Sequence, residues 1–187
     1  HAMYERRIGI AEQLYKYSTC PGIEKNMIAE GTIEALDDFA HMEDPRALNC
    51  CSAILANLTL ERSLCHEILE AGVITDVIQP LNQKAQLTDI AKRGLGYTLY
   101  RFSLLDDKVL TMFRECSDCL MNLIKSEDEE TRMCAAAALV NVTGAMVVAT
   151  GRGQVVNIGG DERQRIVEQV MPFLKDLCGS SLPHVRL

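Results

Sequence analysis

A chain of 187 residues with 48% apolar side chains is long enough to bury a continuous core, and twelve glycines and five prolines make it neither collagen-like nor disordered in composition. A formal charge of −7 and the lack of any Lys/Arg cluster exclude nucleic acid as the principal partner, because gripping a polyphosphate needs a basic footprint. No apolar run approaches the about 20 residues of a membrane span, and with aromatics at only 5% and no Trp, a core of Leu, Ile, Val, Ala and Met favours packed helices over a β-sandwich.

In chain order, residues 1–3 (His1, Ala2, Met3) read as a remnant of cloning and are set aside, and no signal peptide is expected ahead of Tyr4-Glu5-Arg6-Arg7. An amphipathic helix closes on LYKYS at 14–18. Gly31 punctuates the chain, and a helix is predicted over 32–39. The acidic loop MEDP leads into a long helix over 46–59, RALNCCSAILANLT, whose apolar residues at 47, 48, 50, 51, 54, 55 and 58 make a broad buried face. A short amphipathic segment over 63–71 ends at Gly72, and a further helix follows over 73–81.

The third long helix closes on LYRFS at 99–103 and carries Gly94 and Gly96, which cost about 1 kcal/mol each relative to Ala and so suggest close packing or a kink. A short segment over 107–115 and a middle helix over 117–125 precede the acidic SEDEE. A fourth long helix over 131–143 has four small alanines at 135–138 and closes on LVNVT. Acidic residues ahead of the long helices suit the positive end of a helix dipole. The Gly-rich stretch over 144–164 is expected to be an inserted loop, with a last middle helix over 166–177. Pro183-His184-Val185-Arg186-Leu187 resembles the start of a long helix, Pro45-Arg46-Ala47-Leu48.

The closings LYKYS, LANLT, LYRFS and LVNVT begin at 14, 55, 99 and 139, intervals of 41, 44 and 40 residues. Leu14, Leu55, Leu99 and Leu139 align, as do Ser18, Thr59, Ser103 and Thr143. Self-similarity at a fixed period of this size is the signature of stacked repeats. The units are a partial repeat over 4–30, repeats over 31–71, 72–115 and 116–164 (the last with the insertion), and a partial repeat over 165–187. Neither end reads as a polar cap; the expectation is an arbitrary boundary of a longer array, with self-association through uncapped ends as the alternative.

Three helices in about 41 residues, with the openings GTIEAL and GVITDVI and the closings AILANLT and AAALVNVT, resemble the armadillo repeat. The resemblance covers nearly the whole chain and implies an all-α fold, a right-handed α-solenoid of armadillo-type three-helix repeats. It also implies a row of polar residues along the concave long-helix face: Lys16, Asn57, Arg101 and Asn141. In armadillo proteins such as catenins and importins the matching asparagines hydrogen-bond the backbone of an extended peptide, since an amide both donates and accepts. Asn57 and Asn141 match that pattern. Lys16 and Arg101 depart from it, because they donate only and prefer carboxylates. One turn earlier stand Glu12, Ala53, Tyr97 and Ala137, where importins carry Trp, which argues against a nuclear-import receptor. Arg93, Tyr97 and Arg101 share one helical face and suit an acidic or aromatic partner segment. The alternative role for the ladder is structural, the asparagines capping neighbouring helices.

Other motifs point to structure. Cys116-Ser117-Asp118-Cys119 has no second ligand pair for zinc and no βαβ context for thiol exchange. Gly151-Arg152-Gly153 with Gly159-Gly160 lacks the Gly-Lys-Ser/Thr of a phosphate loop. His1, His41, His66 and His184 are scattered, with no nucleophile beside them. No metal, cofactor or catalytic residue is expected. Eight cysteines without a disulfide pattern suggest free thiols in a reducing compartment, the cytoplasm, with the nucleus or cytoskeleton as alternatives. The expected function is a protein-interaction scaffold that binds an extended partner along the concave face. The alternative is a structural span of a larger cytoskeletal, ciliary or chaperone assembly, contacting partners through its ends and loops.

Overall fold

A computed structural model describes residues 2–105, 107–151 and Glu168; all its regular elements among them are helical. In chain order they are α1 (Ala2–Ser18), α2 (Glu24–Ala29), α3 (Thr32–Ala40), α4 (Pro45–Leu58), a 3-10 turn (Arg62–Leu64), α5 (Cys65–Glu70), a π-helical turn (Ile74–Ile78), α6 (Gln79–Asn82), α7 (Asp89–Phe102), α8 (Val109–Leu123) and α9 (Glu129–Gly151). None of the described helices is long and apolar enough to cross a membrane.

Local chemistry sets the helix starts. Asp44 caps α4, its side chain accepting from Arg46 N at 2.8 Å, with Pro45 in the first turn where no amide hydrogen is needed. Thr88 caps α7 by accepting from Ala91 N at 3.2 Å, and Asp128 accepts from Thr131 N at 2.9 Å at the head of α9. Gly31 and Gly72 both sit at φ 85°, where a side chain would be strained, and turn the chain out of α2 and α5.

The long helices pack in series, α1 on α4, α4 on α7 and α7 on α9. A second row lies alongside them: α3 touches the π turn, and the π turn and α6 touch α8. Two second-row helices also pack on long ones, α3 on α4 and α8 on α7 and α9. Between the rows Leu36, Ile54, Leu55, Leu99 and Phe102 are wholly buried. Three of the long helices, α1, α4 and α7, end at the repeated pentapeptides, and the fourth, α9, carries LVNVT in its interior.

Three expectations are corrected. Segments 107–115 and 117–125 do not form two helices, because α8 runs unbroken from Val109 to Leu123. Cys116 stands where Gly31 and Gly72 stand in the preceding units, and without a glycine or proline nothing turns the chain. The helix expected over 73–81 begins as a π turn, immediately ahead of Pro80, which has no amide hydrogen to return to the carbonyl four residues back. The inserted loop expected over 144–164 is helical at its start, since α9 passes Gly144 and reaches Gly151. The remainder of that stretch, the Gly-rich motif beyond Gly151, and the segments 166–177 (except Glu168, which is helical) and 183–187 lie outside the described residues.

Candidate functional site

The polar ladder lies at the junctions between successive long helices. Asn57 on α4 donates from Nδ2 to Ser18 Oγ on α1 at 2.9 Å, and Asn141 on α9 donates from Nδ2 to Ser103 Oγ at the end of α7, also at 2.9 Å. Arg101 on α7 takes the same position over α4, donating to the Ala56 carbonyl and to Thr59 Oγ1, the latter at 3.2 Å. The three receiving hydroxyls in turn donate to carbonyls of their own last turn: Ser18 to Tyr15 O at 2.7 Å, Thr59 to Ala56 O at 2.9 Å and Ser103 to Tyr100 O at 2.6 Å. Ser18, Thr59 and Ser103 thus each satisfy one orphan carbonyl at their helix end and accept from the next long helix. The aligned Ser/Thr row was visible in the sequence, but its role as the acceptor of the ladder was not.

Asn57, Arg101 and Asn141 are half-buried, and Lys16 is exposed, its ammonium without a hydrogen-bond or ion-pair partner among the described residues. Each asparagine uses one N–H on the neighbouring hydroxyl. Its second N–H and its Oδ1 meet no protein partner among the described residues, so donor and acceptor remain for a ligand. Burial disfavours the Arg101 cation and pulls its pKa below the usual value. Its guanidinium lies 5.4 Å from the centre of the Tyr97 ring, within cation–π range.

Arg93 and Tyr97 share this face with Arg101, and both are engaged by α9 and its leading loop. Arg93 pairs with Asp128 at 2.6 Å and with Glu130 at 3.1 Å, and the Tyr97 hydroxyl donates to Glu130. The Arg93 hydrogen bond holds the Asp128 carboxyl well below the ordinary carboxylate range. Burial, with the Glu130 hydrogen bond second, pushes Tyr97 up to about 12. Carboxylates of this chain therefore already occupy the grip that sequence reasoning left open to a partner. The acidic EDEE run at the head of α9 supplies them.

Close approach of the helices is built into α7. A Cβ on Gly94 would lie 2.7 Å from the Ser52 carbonyl oxygen on α4, and one on Gly96 would lie 3.2 Å from Cys134 Cβ on α9. The two glycines mark close packing on opposite neighbours, which brings Arg101 within reach of Ala56 and Thr59. Thr88 adds a further junction, its hydroxyl donating to Asn49 Oδ1 on α4.

Cys116 and Cys119 are free and buried, and burial pushes their thiols up, Cys119 to about 12, away from the reactive thiolate. An open depression of roughly 500 Å³ is lined by residues that include Tyr4, Arg7, Asp37, Asp38, His41 and Glu43. Its charges are spent on one another and on Lys84: Arg7–Asp38 at 2.9 Å, His41–Asp37 at 3.0 Å and Lys84–Glu43 at 2.7 Å.

No protein-family profile matches this chain, and no curated protein does. Among solved structures, the crystal structure of an engineered protein, a Northeast Structural Genomics Consortium target, is similar over 97% of this chain and 88% of that one, at a TM-score of 0.66 and 13% identity. At that identity the likeness speaks to the fold alone.

Proposed function

We propose that the chain is a right-handed armadillo-type α-solenoid that works as a protein-interaction scaffold, holding an extended partner segment along its long-helix face. The serial packing of α1, α4, α7 and α9 beside a second helical row supports the architecture. So do side-chain bonds that join residues about one repeat apart, such as Asn57–Ser18, Lys84–Glu43 and Asn122–Asn82 at separations of 39, 41 and 40.

The observation that carries the binding role is the half-used amide. Asn57 and Asn141 are each oriented by one hydrogen bond to a neighbouring hydroxyl, which fixes the side chain before a ligand arrives. The remaining N–H and Oδ1 match the donor and acceptor of a peptide unit. Arg101 and exposed Lys16 add cations for acidic residues of the partner. Arg93 and Tyr97 contribute when Asp128 and Glu130 yield to a stronger acidic segment. Every described cysteine is free and most are buried, which suits a reducing compartment such as the cytoplasm.

A phage-displayed random peptide library selected on the wild-type chain tests this directly. Peptides recovered there should bind Asn57→Ala/Asn141→Ala at least about tenfold more weakly, a loss of about 1.4 kcal/mol. Equal affinity in a double variant that keeps its helical circular dichroism would remove the groove from consideration.

A further inference from the structure

Resting on the groove reading above, we infer that Arg101 seats a single carboxylate, so that the bound segment carries Asp or Glu midway between the peptide units held by Asn57 and Asn141. The four closings alternate. LYKYS and LYRFS are basic with aromatic neighbours, whereas LANLT and LVNVT are amide with aliphatic neighbours. The ladder is therefore two kinds of step in alternation rather than an amide row with lapses. Arg101 is the basic step that has a described long helix on each side, α4 and α9.

The charge at this step is unanswered. On the same helix Arg93 is met by two carboxylates, Asp128 at 2.6 Å and Glu130 at 3.1 Å. Arg101 is half-buried, and the titratable groups near it are Cys65, Cys134 and Tyr97, with no Asp or Glu among them. Burial pushes both thiols up, so they stay neutral. The bonds of Arg101 to the Ala56 carbonyl and the Thr59 hydroxyl engage Nη1 alone, and the Tyr97 ring lies alongside the guanidinium. The cation is thus fixed before a ligand arrives, with Nε and Nη2 left to donate. A half-buried cation without a counter-ion costs desolvation, which a ligand carboxylate offsets through charge-assisted bonds.

Spacing sets the register. α7 lies between α4 and α9, and the close approaches at Gly94 and Gly96 hold it near both. Adjacent helix axes about 8–10 Å apart put Asn57 and Asn141 roughly 16–20 Å from each other. An extended chain advances about 3.3 Å per residue, so the two held peptide units are about five or six residues apart. The side chain over Arg101 belongs to a residue about three positions from each. Charge balance selects carboxylate over phosphate. One monoanion neutralises Arg101, whereas a phosphate dianion would leave excess negative charge on a face that already sets Asp128 and Glu130 against Arg93.

The test uses random dodecapeptides displayed on phage and selected on the wild-type chain, then synthesised with a fluorescent label and titrated by anisotropy. The recovered peptides should share one Asp or Glu. Changing that residue to its amide should weaken binding to wild type about tenfold, and to Arg101→Gln no more than about twofold. Arg101→Glu should prefer the peptide that carries Lys in place of the acid. Asn57→Ala/Asn141→Ala should weaken the acid and amide peptides by the same factor. Circular dichroism checks the fold of each variant, and the comparison of acid with amide peptide on the wild-type chain needs no variant. The inference is overturned, with the groove reading intact, if the peptides need both asparagines yet lose nothing with their acid. It is equally overturned if the acid preference survives Arg101→Gln, or if phosphoserine in place of the acid binds as tightly. A library that yields no binder, or binders indifferent to the asparagines, removes the groove reading and this inference with it.

Discussion

Gly94 packs against Ser52 so closely that a methyl group there would lie 2.7 Å from the Ser52 carbonyl oxygen. Two effects compete in Gly94→Ala. Helix propensity favours alanine by about 1 kcal/mol. Overpacking against backbone costs about 1–3 kcal/mol, because α4 and α7 must part. The clash should win, with a lower Tm on thermal melting. Gly9→Ala has the first effect without the second, since nothing lies within 4 Å, and should raise Tm. The same sign for both variants would contradict the helix spacing described here.

The Asn–Ser bridges should each contribute modestly to stability. Asn57→Ala and Asn141→Ala each remove one half-buried hydrogen bond and leave a Ser hydroxyl that still donates to a carbonyl of its own helix, a loss of about 1 kcal/mol per site in urea unfolding. The sites sit on different junctions, so the losses should add in the double variant. Ser18→Ala should cost as much as Asn57→Ala and little more on top of it.

Asp128 gives a pH signature. Its carboxyl is held below its unfolded value by Arg93, so the ionised form is favoured by folding. That contribution is fully present above the unfolded pKa of about 3.9 and is lost as pH falls below it toward the lower folded value. Asp128→Asn should therefore flatten the acid limb of a stability–pH profile below about pH 4, and lower stability at neutral pH. Tyr97 acts at the other extreme. Its pKa is raised to about 12, so folding favours the neutral phenol, and that contribution fades as pH rises from about 10 through 12. In a spectrophotometric titration, Tyr97→Phe should remove a phenol that ionises near pH 12 in the native chain.

Thiol accessibility offers a check on the core. Cys20 is exposed, whereas Cys51, Cys116 and Cys119 are buried with their thiols pushed up. A disulfide exchange reagent should modify Cys20 rapidly in the native chain, and Cys20→Ser should remove one fast equivalent. Cys116→Ser with Cys119→Ser should leave the fast phase unchanged and alter only the modification seen in denaturant.

Helix placement was legible wherever the sequence carried its own punctuation. Asp44 and Pro45, Gly31 and Gly72, and the apolar spacing of 46–59 locate α4 and its neighbours to within a residue or two, because caps and periodicity act locally. Where punctuation was absent or ambiguous, expectation and structure diverged. Cys116 in place of a glycine merged two anticipated helices into α8, and α9 carried on through Gly144, which costs a helix little enough for neighbouring residues to override.

The sequence by itself determined the period, the four long helices and the row of polar residues, since each follows from spacing along one chain. Only the tertiary structure decided what those residues touch. It paired Asn57 with Ser18 and Asn141 with Ser103, placed Asp128 and Glu130 on Arg93 and Tyr97, and left Arg101 with carbonyl and hydroxyl partners. Such contacts join residues some forty positions apart, and their partners are chosen by how helices pack, which no local pattern encodes.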